Sequence, residues 1–520
     1  MRTRATIALA VLGALVAAAP VTAVTRTTRP VPTTRAATVP ASTTAAPSAA
    51  TLRMALAFPP RSGLSVLSDD AVLLSRLGVT ETLVRATSSG DAQPLLATSW
   101  DQTGTTSWRF KLRSGVAFHD GTPMDAAAVV NSITRAMATA APPRALRGSG
   151  ITASVVDPLT VEVTTPRPDP LVPLRLSAPG SAILAAGAYR GAAPTAIGTA
   201  TGIYRIESFV PDQRIELAAN AKHWGRPPSI QKVVNRLIND PAARVTALRA
   251  GELDLVEGVP PAQLDAVRKD AALQALIFDL PRTTTLYLNT SKPPFDTVTA
   301  RRAVDLAIDR AALASILLEG AAVPAAGYFG PAVAWDPDTQ PPKQDLNEAR
   351  RLAEQAKLPR RIRLWTYTAR AELPDLAVAI KDMLGRAGIE VEITVAEYAS
   401  LEPDVLAGRH DMFLLSRSYM VDLPDPAGFL ASDFTCAGSF NLNRWCDTRL
   451  DAELGALGTQ GTKSARERAF ASVSRAFDVD VVGVPVLHDR ARLAHTRKLT
   501  GLVADPMEQR LLTSELRLAS

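Results

Sequence analysis

The stretch FHDGTP, Phe118 to Pro123, places a histidine beside an aspartate, the pairing that general acid–base chemistry uses. His119 and Asp120 would need a nucleophile or a bound metal to work on. The five histidines, His119, His223, His410, His488 and His495, are scattered, and none has a metal-ligand partner three or four residues away. No G-x-S-x-G elbow and no phosphate-cradling glycine loop is present. The residues around His119 suggest another role. SWRFKLR alternates apolar and charged positions like a half-exposed strand, SG turns the chain, VAFHD is a short strand, and DG is a turn signal. Asp125 or Thr122 then caps a helix. The expectation is a structural hairpin, with Asp120 closing its turn, and no enzyme.

Cys436 and Cys446 are the two cysteines and lie in CAGSFNLNRWC. In an oxidising compartment two cysteines this close are expected to pair, and closing so short a loop is worth roughly 2–3 kcal/mol. Two free thiols are the alternative. A zinc site needs more ligands than this segment supplies, so no metal and no cofactor is expected.

The elements that hold these residues belong to a chain of 520 residues with 47% hydrophobic content, enough for two or three domains. The formal net charge is +6, but Lys and Arg are spread along the chain and aromatics make up only 5%. That pattern argues against nucleic-acid binding. MRTR followed by ATIALAVLGALVAAA and the small residues Val21–Ala23 reads as a secretory signal peptide over 1–23. The apolar run is shorter than a membrane span of about 20 residues. Residues 24–50, rich in Thr, Pro, Ala and Ser, read as a disordered linker. No cysteine lies near the cleavage site, so a lipoprotein anchor is not expected, and the mature protein is expected to be exported.

From Thr51 the texture is mixed α/β. TLRMALAF alternates as a strand. DPAARVTALRAGELDLVEG reads as a capped helix, a glycine stop and a strand, and TARRAVDLAIDRAALASILL as one long amphipathic helix. RIRLWTY, the helix-to-strand segment ending EVEITVAEY, DMFLLSRSYM and VVGVPVLHDRARLAH supply further strands.

Over nearly all of 51–520 the chain resembles the solute-binding proteins of bacterial peptide and nickel ABC importers. The resemblance rests first on Pro94, Leu96, Ala97, Ser99 and Trp100. It continues through Trp108, Phe110, Leu112, Arg113, Gly115, Val116, Phe118, His119, Asp120, Gly121 and Pro123, and Arg135 closes the helix. LYLNTSKPPFDTVTARRAVDLAIDR and LRAGELDL match as well. Ala200 and Ile203 depart from the family's G-T-G-P-Y.

The resemblance implies a periplasmic-binding-protein-like α/β fold of the class II type, two lobes with an additional inserted domain. Lobe I would comprise 51–81, 196–280 and 485–520, the inserted domain 82–195, and lobe II 281–484. It implies a single-chain receptor, a monomer, that takes a short peptide or other small solute between closing lobes and presents it to ABC permease subunits. Peptide backbone would pair with strand edges. Asp422, in SRSYMVDLPDP, matches the aspartate that meets the ligand's α-ammonium. Tyr419 would line the pocket, the backbones of Ser418 and Met420 would form the edge, and Arg417 could meet a ligand carboxylate. The plainer alternatives are a turn residue for Asp422, a core ring for Tyr419 and a solvated side chain for Arg417. Ser68, Asp69 and Asp70 stand near the other lobe's ligand-facing segment, or simply begin a helix. Two other functions stay open: a binder of a non-peptide solute such as a metal chelate, sugar or cationic metabolite, and a secreted binding protein without a dedicated importer.

Overall fold

The computed structural model describes residues 50–191, 193–333, 340–359, 361–420, 423–457 and 462–519. The expected signal peptide and all but the last residue of the expected linker lie outside this range.

An 11-stranded sheet organises the described chain. One half is built on Thr51–Ala55, whose alternating side chains are buried on one face. It runs parallel to Lys232–Arg236 on one side and to Leu255–Glu257 on the other. The antiparallel pair Arg214–Ala219 and Tyr204–Val210 extends this half outward. The other half is built on Ile362–Tyr367, which lies parallel to both Val391–Ala396 and Met412–Ser418. Parallel strands need covering helices. Glu372–Arg386 supplies one, burying Leu373, Leu376, Ile380 and Leu384.

Two long strands join the halves. Val484–Thr496 pairs antiparallel with Leu255–Glu257 near its C-terminus and with Leu273–Leu288 along most of its length. Leu273–Leu288 changes neighbours midway. Up to Asp279 it is laddered only to Val484–Thr496, and from Arg282 it is laddered to Met412–Ser418 as well. Its register against Val484–Thr496 shifts between Asp279 and Thr283. The chain therefore crosses from one half to the other at residues 280–282.

A separate four-stranded antiparallel sheet, Ala97–Gly104, Ser107–Leu112, Thr160–Thr164 and Thr152–Asp157, packs under helix Ala126–Met137. Phe110, Val129, Ile133, Val161 and Val163 form the centre of its own core. Asp125 caps the helix by accepting from the Ala128 N–H at 2.9 Å.

Two expectations are corrected. VAFHD is not a strand: among the described residues it contributes a single bridge, Ala117 to Pro123. The tight turn that Asp120 closes leaves no length for a ladder. The helix expected over TARRAVDLAIDRAALASILL is broken. Val298–Ala307 ends at Ile308, which is extended (φ −91°, ψ 120°), and Asp309 restarts the chain by accepting from the Ala312 N–H. Capping by an aspartate competes with helix continuation.

Candidate ligand-binding site

In open α/β sheets ligands bind beyond the carboxyl ends of parallel strands. Here the carboxyl ends of both halves converge. From the first half come the segments after Ala55, Arg236 and Glu257. From the second come those after Tyr367 and Ala396. Together with the crossing strands they enclose a cavity of about 300 Å³, lined among others by Phe58, Asn239, Gly258, Arg370, Glu397 and Arg490.

The floor on the first side is a buried ion pair. Arg76 meets Glu257 at 2.5 and 3.2 Å, and Glu257 also accepts from the Ala57 N–H. Burial works to raise the Glu257 carboxyl, and the Arg76 guanidinium outweighs it, leaving the group below the usual carboxylate range. Gly258, at φ +70°, lets Arg244 come close enough to donate to the Glu257 carbonyl at 2.8 Å. A Cβ at Gly258 would lie 2.9 Å from Arg244 Nη2.

Across the cavity, Arg370 stands just beyond strand Ile362–Tyr367. Its Nη1 is 3.5 Å from both Glu372 and Asp489. Neither contact is a close one, and both acids are already engaged. Asp489 accepts from Thr284 at 2.8 Å and Ser416 at 2.5 Å, and Glu372 meets Arg492 at 3.3 Å. Burial works to lower the Arg370 guanidinium and the Asp489 and Glu372 charges raise it further, so it stays cationic. Arg370 therefore keeps donors for an anionic group in the cavity. Its guanidinium also lies 5.9 Å from the ring centroid of Phe58, which is 45% exposed.

Strand Met412–Ser418 ends beside this junction and carries Arg417 and Ser418; the other residues singled out from sequence follow it. Asp422 lies outside the described residues. Arg417 is turned onto Asp433, at 3.0 and 3.1 Å, and over the Phe440 ring at 4.7 Å. Ser418 is buried and laddered to Arg282. Tyr419 is buried edge-on against Phe329, and its hydroxyl accepts from the Gly330 N–H at 3.0 Å. Met420 is fully buried. Cys436 and Cys446 sit with their sulfurs 2.02 Å apart and lie away from the cavity lining.

Ser68 and Asp69 line a different recess, and Asp69 is almost fully exposed near Arg144. Asp70 is buried and accepts from the backbone N–H groups of Arg61, Ser62 and Leu64, which shapes the loop after the first strand.

His119 serves as a pin. Its backbone N–H donates to the Ala200 carbonyl and its Nε2 to the Gly202 carbonyl at 2.9 Å, while burial pushes the ring's pKa down. Asp120 accepts from the Thr122 N–H and hydroxyl, closing the turn. The turn thus fastens the four-stranded unit to the segment before strand Tyr204–Val210.

Sequence reasoning missed Arg370 and Phe58. The available signal was position: each follows a strand directly, in RIRLWTYTAR and TLRMALAF.

Residues 91–441 match the sequence profile of bacterial extracellular solute-binding proteins, family 5 Middle. A probable di/tripeptide-binding protein 5 of Pseudomonas aeruginosa (strain UCBPP-PA14) is 26% identical over 452 residues, covering 80% of this chain and 85% of that protein. The probable D,D-dipeptide-binding periplasmic protein DdpA of Escherichia coli (strain K12) is 24% identical, covering 81% of this chain and 83% of its own. NikA from Brucella suis, solved with Fe(III)-EDTA, superposes with a TM-score of 0.81 at 22% identity, covering 90% of this chain and 99% of its own. A dipeptide-binding protein from Pseudoalteromonas sp. SM9913, solved with Met-Leu, gives 0.79 at 18%, covering 90% of this chain and all of its own. The fold is therefore the two-lobe periplasmic-binding-protein fold. Proteins of this kind bind solutes for transport outside the cytoplasm and are not enzymes. With more than half its length matched, the chain belongs to the bacterial extracellular solute-binding proteins of family 5.

Proposed function

We propose that this protein captures short peptides in the junction cavity and delivers them to the permease of an ABC importer. The observation that carries this reading is the convergence of strand ends from both halves on a cavity holding a cationic donor, Arg370, beside the strand that leads into Asp422. A short peptide presents an ammonium and a carboxylate. Asp422 would take the first in a charge-assisted hydrogen bond and Arg370 the second. A cavity of about 300 Å³ suits a ligand of two or three residues. Tyr419 and Met420, being packed in the core, hold the end of the strand, and Arg417 serves Asp433 before any ligand.

The two halves correspond to lobe I (51–81, 196–280 and 485–520) and lobe II (281–484), with 82–195 as the inserted domain. The crossing at 280–282 is the hinge in this reading. The chain works as a monomer and is exported by the segment 1–23. Cys436 and Cys446 form a disulfide in the oxidising space outside the cytoplasm.

A second reading draws on the neighbouring fold of Staphylococcus aureus NikA, solved with Ni(L-His)2 at a TM-score of 0.79. A metal chelate whose organic part carries carboxylates could meet the same Arg370. Isothermal titration calorimetry with di- and tripeptides and with nickel–histidine separates the two. Heat from peptides alone supports the first reading. Heat from the chelate alone overturns it.

A further inference from the structure

We infer that Phe58 selects for an apolar side chain on the residue that carries the ligand's free carboxylate. This rests on the reading above, in which Arg370 takes that carboxylate. Phe58 follows the first strand, in the segment Ala55 to Pro59; the residue is exposed and lines the cavity. The ring belongs to neither of the neighbouring cores and has the Arg370 guanidinium beside it. Apolar surface left open inside a ligand cavity gains most from being covered by the ligand.

The geometry relates the ring to one position of the ligand. The Arg370 guanidinium lies 5.9 Å from the Phe58 centroid. A carboxylate held by Arg370 and the side chain on the same Cα are separated by two bonds, so that side chain lies within reach of the ring. The residues flanking Arg370, Ala369 and Ala371, carry no bulk beyond Cβ and leave the space beside the ring open. Pro59 and Leu280 continue the apolar wall. Charged groups line the cavity as well: Arg61 lies on the same segment as Phe58, while Glu397, Arg490 and Glu508 come from other segments, Arg490 being engaged by Asp279 at 2.7 Å and Glu508 by Arg282 at 3.3 Å. Phe58 is the aromatic side chain among these lining residues, and it is the one placed beside Arg370.

The test is calorimetry with Ala-Phe, Phe-Ala, Ala-Lys and Ala-Ala on the native protein and on Phe58→Ala, with circular dichroism as a check that the variant is folded. The expected result is that Ala-Phe binds about tenfold more tightly than Ala-Ala or Ala-Lys. In Phe58→Ala that ratio should fall close to one. Phe-Ala should gain less than Ala-Phe in the native protein. If peptides bind and the Ala-Phe preference survives in Phe58→Ala, or if Ala-Lys equals Ala-Phe in the native protein, the inference about Phe58 is overturned and the peptide reading stands. If no peptide binds either protein, the peptide reading itself is overturned, and the role of Phe58 with it.

Discussion

Arg417, near the end of strand Met412–Ser418, is held by Asp433 of helix Pro426–Phe434 through distances of 3.0 and 3.1 Å, and Asp433 is fully buried. The pair ties the strand that enters the 419–424 segment to the helix that leaves it. A second buried pair, Arg466 with Asp425 at 3.0 Å, secures the start of the same helix. Breaking a buried pair from one side strands the other charge, at a cost of about 3–5 kcal/mol. Asp433→Asn should therefore lower the unfolding free energy by roughly that amount in a urea titration. A loss under about 1 kcal/mol, the range of an exposed pair, would show that Arg417 is not held this way.

Asp422→Asn should weaken binding of a free-amino dipeptide by about 2 kcal/mol or more, the range for breaking a buried charge pair. The same peptide acetylated at its N-terminus should bind poorly to both forms. Calorimetry on the four combinations checks this, and equal affinities of the variant and the parent for the free-amino peptide would remove Asp422 from the site.

Arg370→Gln should cost a free-carboxylate dipeptide about 1.5–3 kcal/mol, the worth of a hydrogen bond to a charged group. A C-terminally amidated dipeptide should lose much less on the same substitution. Equal losses for the two peptides would assign Arg370 to the integrity of the junction, through Glu372 and Asp489, rather than to ligand carboxylate.

Acid should weaken the fold in a defined window. Burial pushes the rings of His410 and His488 down to about 4 each, from an ordinary value near 6.5. The sign follows from proton uptake. Below about pH 6.5 the unfolded chain binds a proton at each ring, which the folded chain refuses until about pH 4. Stability present at neutral pH is therefore lost as pH falls across that range, by roughly 3 kcal/mol per ring at the bottom of it. His488 Nδ1 donates to the Thr283 hydroxyl, which itself donates to the Tyr328 carbonyl. His488→Gln should flatten the dependence of the thermal midpoint on pH between 6.5 and 4. An unchanged slope in that variant would mean that His488 does not titrate on unfolding.

The features legible in the sequence were local ones. Asp125 and Asp240 were readable as helix caps because the bond each makes spans three residues. The turn at Asp120 and the cap at Asp125 were readable because each rests on bonds to residues two or three positions on, whereas the strand expected over VAFHD does not form. The break at Ile308 was hidden, since the apolar spacing of the helix continues through it and only the cap at Asp309 marks the stop. Arg370 and Phe58 meet because one strand end from each half of the sheet arrives at the same place, and the order of strands is not written in either segment. The pairing of Arg417 with Asp433 was not legible, because Asp433 comes into reach only when the following helix folds back.

The central claim is that the junction cavity holds short peptides. Native mass spectrometry on the protein isolated from a culture grown in rich medium tests it most directly, with the bound species then released and sequenced. The account predicts a set of added masses that resolve into peptides of two or three residues. A single added mass that is not a peptide would contradict it.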